Sequence, residues 1–399
     1  MKISYFLVIA DALYQAMAGQ CSGGMQVASQ GDAERLSKCG KYSGNISVIQ
    51  LNLEEVDFGN LSEVDGNITI ENNFNLKSIL LEGLAILNGT LKLKDNIQLL
   101  GLSIPKLHSV RKLQVSNTPN LNTLNMDKIS TAESIEISQT AITDISGLSV
   151  KQCESIIFSN NIYLKDIKMG NLTLVKKQFT IIDNNQQSTA SFPMLEMIGG
   201  NSTIQGLSEL SLPKLKSVSE SVTFIENQFT SLQLDSLTNL EMDLNIIQNK
   251  QLTQISFPQL KEIKKALVIQ NNTELAEINK NSFPKLTKVG EKILITGPFK
   301  EIAFPSLKMV NKAVTITSTE KLDCPSLKKE FSFLNSNMWI CKTTSSTGKQ
   351  ESKTNKGTGS SGSVDSDAQK SSAAALKYFN LNKSIGTLAF ALLLTTILF

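Results

Sequence analysis

The chain has 399 residues, with 39 Lys plus Arg against 36 Asp plus Glu, so its formal net charge is only +3. That balance argues against a nucleic-acid-binding surface, and just two basic residues, Arg35 and Arg111, carry the planar fork that phosphate and carboxylate sites rely on. His108 is the sole histidine, which excludes a His pair or a His-rich metal cage, while 41% hydrophobic residues over this length suffice for a sizeable core.

Residues 1–18 carry Lys2, an apolar stretch from Tyr5 to Ala10 and the small-x-small triplet Ala16-Met17-Ala18. They predict a signal peptide, with the mature chain starting near Gly19. Residues 19–43 are expected to form an N-terminal cap, in which Cys21 and Cys39 bracket a short helical segment from Gln26 to Lys38.

From residue 44 to 323 one phrase recurs. It is a short alternating apolar strand, a polar amide two residues after its last apolar position, then a Leu and an Ile or Val. The amide column reads Gln50, Asn72, Asp95, Asn117, Gln139, Asn160, Asn184, Gly206, Asn227, Asn249, Asn271, Gly297 and Ser318, at intervals with a mean near 22 residues. A period of that size signals a solenoid. A second column supports the register, because Pro opens a Pro-x-Leu-x-x-Val/Ile phrase at Pro105, Pro193, Pro213, Pro258, Pro284 and Pro305. Pro interrupts a central strand, so this column belongs at the start of a second short strand or in a bend.

Within a coil, as in Gly66-Asn67-Ile68-Thr69-Ile70, side chains alternate with period two, so Ile68 and Ile70 face inward. The alternation also turns the amide column inward, as a structural ladder whose donors and acceptors are met by the bends and the next coil. The expected fold is all-β: a right-handed parallel β-solenoid of roughly thirteen coils, two or three short strands per coil, closed by short disulfide-bracketed helical caps.

Residues 324–341 form the predicted C-terminal cap, in which Cys324 and Cys341 bracket a helical segment from Ser326 to Trp339. Pairing Cys21 with Cys39 and Cys324 with Cys341 is the natural choice in a secreted chain, although four cysteines permit three connectivities. Each such loop is worth about 3 kcal/mol by loop-closure entropy. Cys153 is left over and reads as a buried thiol of the coil wall.

Residues 342–372 hold 14 Ser or Thr among 31 positions and almost no apolar side chain, which predicts a disordered, O-glycosylated stalk. Residues 373–399 then supply small residues, a polar spacer and the apolar tail Ile385 to Phe399. In that order, together with Ser371-Ser372, they signal a glycosylphosphatidylinositol (GPI) lipid, with Ser372 as the expected attachment residue and 373–399 as the segment removed. Asn45, Asn60, Asn67, Asn88, Asn171 and Asn201 begin Asn-x-Ser/Thr triplets and are the expected N-glycosylation sites. Asn271 also begins one, but as a member of the inward amide column it is expected to be unmodified.

The signal peptide, the 22-residue coils, the bracketing Cys pairs, the Ser/Thr stalk and the GPI tail together resemble the fungal sporulation-specific and extracellular-mutant group of GPI-anchored wall proteins. The most telling stretches are Ser43-Gly44-Asn45-Ile46-Ser47-Val48, Val64-Asp65-Gly66-Asn67-Ile68-Thr69-Ile70 and the Cys324 to Cys341 segment. The coils are similar to the receptor L domain of growth-factor receptors. The resemblance implies a non-enzymatic role in fungal cell-wall organisation, with ascospore wall assembly as one setting. It also implies contact with the outer leaflet of the plasma membrane through GPI, and with wall glucan or mannoprotein. It carries no catalytic residue, cofactor or metal, and names no protein partner.

Two other readings stand beside it. One is a glycan- or protein-binding surface receptor module that uses a flat solenoid face, which exposed aromatics in a row would favour. The other is a polysaccharide-cleaving enzyme, which needs clustered carboxylates; here they are scattered, and Glu54-Glu55 reads as a solvated edge beside the N-terminal cap.

Overall fold

A computed structural model of the chain describes residues 21–145 and 147–343. The expected signal peptide, nearly all of the stalk, Ser372 and the 373–399 segment lie outside the described residues.

The repeats build a parallel β-solenoid of about fourteen coils. A representative coil uses Glu262–Ile263 and Leu267–Gln270 on the main sheet, bends, and adds Glu277–Ile278 to a short second sheet. Every strand pairing is parallel, as successive turns of one wound chain require. Like stacks on like: Leu244, Leu267, Ile293 and Val314 align in one inward column, and Ile246, Ile269, Ile295 and Ile316 in the next. All eight are buried. The expected Pro column lies in the turn between the second sheet and the main sheet, as at Pro105 and Pro193. The Phe before each Pro from residue 257 onward points inward, and Phe257, Phe283 and Phe304 stack with ring centroids 5.0 and 5.6 Å apart. At Gly66 the coils approach so closely that a Cβ would sit 2.1 Å from the Gly44 carbonyl oxygen, so this position admits no side chain.

The amide column needs a correction. Gln50, Asn72, Asp95, Asn117, Gln139, Asn160 and Asn271 do not form the internal ladder: each lies at a bend with φ between 49° and 57°. The left-handed residue ends the period-two alternation and shifts the inward phase by one position. The buried ladder is therefore Asn73, Asn96, Asn161 and Asn272, joined by Asn184, Asn227 and Asn249 of the expected column. In those last three coils the left-handed residues are Asp183, Glu226 and Gln248. Ser318 is buried as expected, at the end of a strand with unbroken alternation.

Each ladder Asn clamps the preceding coil around its bend. Asn249 accepts from the backbone N–H of Asn227 at 2.9 Å and donates to the Phe224 carbonyl at 3.0 Å. Asn272 in turn accepts from the Asn249 N–H at 2.9 Å and donates to the Ile246 carbonyl at 2.9 Å. Thr118 and Thr140 interrupt the run.

Both ends are covered by cystine-linked caps, Cys21 to Cys39 and Cys324 to Cys341. Helix α1, Gln30–Ser37, is shorter than the expected segment because Met25–Val27 is instead the first strand, paired with Ile46–Val48. Helix α2, Cys324–Glu330, also ends early, and Trp339–Thr343 returns to the main sheet beside Val314–Ser318. Each cap lends one long side chain to an otherwise open edge. Gln30 bonds the Asp57 carbonyl and N–H at 3.1 and 3.2 Å, and Glu330 accepts from the Phe304 N–H at 2.6 Å.

Candidate functional surface

No group of three or more His, Cys, Asp or Glu side chains that could hold a metal occurs among the described residues. Cys153 is buried in Gln152–Ser159, and burial pushes its thiol up to about 12, so at neutral pH it is an inert thiol. His108 is exposed, and its Nδ1 lies 3.4 Å from the Lys106 carbonyl. Glu54 and Glu55 are exposed, and Glu54 pairs with Lys77 one coil away at 2.8 Å.

Carboxylates and lysines pair in this way along the rims of the coils. Lys177 meets Glu154 at 2.9 Å, Lys216 meets Glu196 at 2.8 Å and Lys288 meets Glu262 at 2.8 Å. The hydrogen bond to Lys177 lowers the Glu154 carboxyl and raises the lysine in turn. These pairs are exposed and spread out, so they offer no acid and base facing one substrate.

Asn45, Asn60, Asn88, Asn171 and Asn201 are exposed and Asn67 is half-buried. Asn45 and Asn67 stack in adjacent coils, with Asn45 Oδ1 accepting from the Asn67 backbone N–H at 2.9 Å. Asn201 lies in the same column further along and accepts from the Ser221 N–H at 3.3 Å. Asn271, displaced from the ladder to a left-handed bend, is exposed as well.

The outer face of the main sheet holds the feature that sequence reasoning missed. Its side chains form two columns that follow the solenoid axis. Near the N-terminal end they include Glu71, Lys92, Lys94 and Glu136. From the strand Gln152–Ser159 to the strand Val314–Ser318, eight successive coils place no charge in either column. The first column reads Ile157, Thr180, Thr203, Thr223, Asn245, Val268, Leu294 and Thr315. The second reads Ser159, Ile182, Gln205, Ile225, Ile247, Gln270, Thr296 and Thr317. The signal was present in the sequence as every second residue of each strand, but it becomes a surface only when the coils are stacked in register.

A cleft of about 450 Å³ opens on this face beside the first column, lined by Gln178, Thr180, Asn201 and Thr203 together with the charged side chains of Lys176, Lys177 and Glu220. Its floor is bare backbone at Gly199 and Gly200, where a Cβ on Gly200 would lie 1.6 Å from the Lys177 carbonyl oxygen. The exposed aromatics Phe74, Tyr163 and Phe333 form no row on this face.

No family profile matches the chain, and no solved structure matches it. Among curated proteins it is 33% identical over 328 residues to sporulation-specific protein 2 of Saccharomyces cerevisiae, covering 80% of this chain and 64% of that protein. It thus spans somewhat less than two thirds of that relative's length. It is 29% identical to a cell surface GPI-anchored protein of Arthroderma benhamiae, covering 82% of this chain and 84% of the relative. To protein ecm33 of Aspergillus fumigatus it is 27% identical, covering 81% and 80%. The relatives the chain resembles are fungal sporulation-specific, Ecm33 and GPI-anchored cell-surface proteins, 25–33% identical over most of its length.

Proposed function

We propose that this chain is a non-enzymatic, GPI-anchored glycoprotein of the fungal cell surface that supports organisation of the wall. The observation that carries this reading is the likeness, spread over about four fifths of the chain, to proteins named as cell-surface, cell-wall and GPI-anchored. It is supported by the arrangement of the two ends, with a secretory leader at 1–18 and a Ser/Thr stalk leading to Ser372. On this reading the solenoid stands off the membrane on a tether that reaches on the order of 100 Å when extended. N-glycans at Asn45, Asn60, Asn67, Asn88, Asn171 and Asn201 coat its rims. The spore wall is the favoured setting, because two of the relatives, 33% and 30% identical, are named sporulation-specific.

The test is a deletion strain assayed for glucanase sensitivity and dye permeability in growing cells and in spores. The expected result is a weakened spore wall. Intact walls at both stages would overturn the wall role, and damage confined to growing cells would overturn the assignment to spores.

A further inference from the structure

We infer that the uncharged face is a track for a single, unbranched strand of neutral wall polysaccharide lying along the solenoid axis. The inference rests on the wall reading above for the source of the polymer, and on the surface itself for its chemistry.

The first argument is charge. In a chain with 39 basic and 36 acidic residues, the sixteen successive positions from Ile157 to Thr317 carry no charge, and all but the buried Thr180, Gln205 and Ile225 reach the surface, while the same columns carry Glu71, Lys92, Lys94 and Glu136 nearer the N-terminus. A face without charge matches a ligand without charge, and desolvating it costs little beyond hydroxyl and amide hydrogen bonds that the ligand can replace.

The second argument is shape. Eight coils at about 4.8 Å spacing make a strip roughly 34 Å long, and two columns about 7 Å apart make it narrow. Its area, on the order of 300 Å², is well below the roughly 800 Å² per partner that a stable protein complex buries. The strip is too thin for a globular partner or a second copy, and long enough for a string of sugar units. Carbohydrate at Asn201, on the margin beside Thr203, would obstruct a broad partner and leave room for a strand.

The third argument is side-chain chemistry. Thr203, Thr223 and Asn245 supply hydroxyls and an amide, while Ile247 beside them is aliphatic. A sugar ring has the same mixture, hydroxyls around its edge and C–H groups on its faces.

The test measures binding of the full chain, purified in detergent, to laminarin, a largely linear neutral glucan, and to branched yeast mannan, at low and at high salt. Laminarin is expected to bind with an affinity that salt leaves unchanged, and mannan at least tenfold more weakly. Thr223→Lys and Thr315→Lys, at the middle and end of the track, should each weaken laminarin at least tenfold, whereas Ser116→Lys, beside Lys94 on the charged end of the same sheet, should not. The two track positions guard against one variant failing to fold, which thermal unfolding would reveal. No laminarin binding, preference for mannan, or full binding by both track variants would overturn the proposal. So would a wild-type dimer that Thr223→Lys dissociates without any glucan binding. The wall reading fails separately: a deletion strain with intact walls overturns it and leaves the laminarin measurement standing as the test of the track.

Discussion

A buried Asn and the exposed residue beside it do opposite things in each coil. Asn249 satisfies a donor and an acceptor on either side of the preceding bend, so Asn249→Ala leaves the buried Asn227 N–H unpaired and removes the side-chain bond to the Phe224 carbonyl. At about 1–3 kcal/mol per orphaned group, the variant is expected to lose that much in chemical denaturation. Its neighbour Gln248 has φ 57°, a conformation that costs an L-residue about 1 kcal/mol and glycine almost nothing. Gln248→Gly is therefore expected to be neutral or stabilising by up to about 1 kcal/mol in the same assay, and a loss of more than that would refute strain at the bend. The same one-residue offset bears on Asn271: its exposure at the bend makes it a glycan acceptor, and glycopeptide mapping is expected to find it occupied.

At the scale of elements, α1 shows how a cap responds to pH. Ser29 caps the helix by accepting from the Asp32 N–H. The Asp32 carboxylate accepts from the Ala28 N–H at 3.0 Å and the Ser29 hydroxyl at 2.9 Å, and it pairs with Arg35. The backbone hydrogen bond from Ala28, then Arg35 and Ser29, hold this carboxyl down to about 2 from an ordinary 3.8. A lowered folded-state value means that the contribution is complete above pH 3.8 and is lost as pH falls towards 2. Hydrogen exchange in α1 is expected to accelerate across that window in the wild type, and Asp32→Asn should flatten the response.

The repeat period, the Pro bends, the inward aliphatic columns and the Cys-bracketed caps were legible because each follows from local alternation and spacing. The ladder was legible only in part. Period two extends correctly through Ile70, but the left-handed turn at Asn72 adds a residue before the chain points inward again. Polar side chains at both 72 and 73 gave the sequence no means of choosing between them. Gln26 and Val27 of the strand Met25–Val27 were absorbed into a helix for a similar reason: three residues carry too little pattern to announce a strand whose partner, Ile46–Val48, lies a coil away.

For the molecule as a whole, each coil touches mainly its neighbours, so stability accumulates coil by coil, with caps that fix where it stops. The uncharged track is a property of this scale alone, since no single strand displays it. The rims carry the solubilising charge, and exposed pairs such as Lys216 and Glu196 add little to stability because solvent screens them. Their use lies in keeping coils apart from other molecules, while the two columns from Ile157 to Thr317 stay free of charge.

The side chains at the two ends act, in the vocabulary of polymerisation, as chain terminators. Gln30 and Glu330 occupy backbone valences at Asp57 and Phe304 that the next coil would otherwise fill, so this side of each end offers no seed to another solenoid. Proteins crowded on a membrane with open parallel edges would grow into fibrils by adding end to end. Removing residues 324–343 is expected to convert the chain from a discrete particle to filaments visible by electron microscopy, with thioflavin fluorescence rising over time. A truncated chain that stayed monomeric would show that the edge is silenced by something other than the cap.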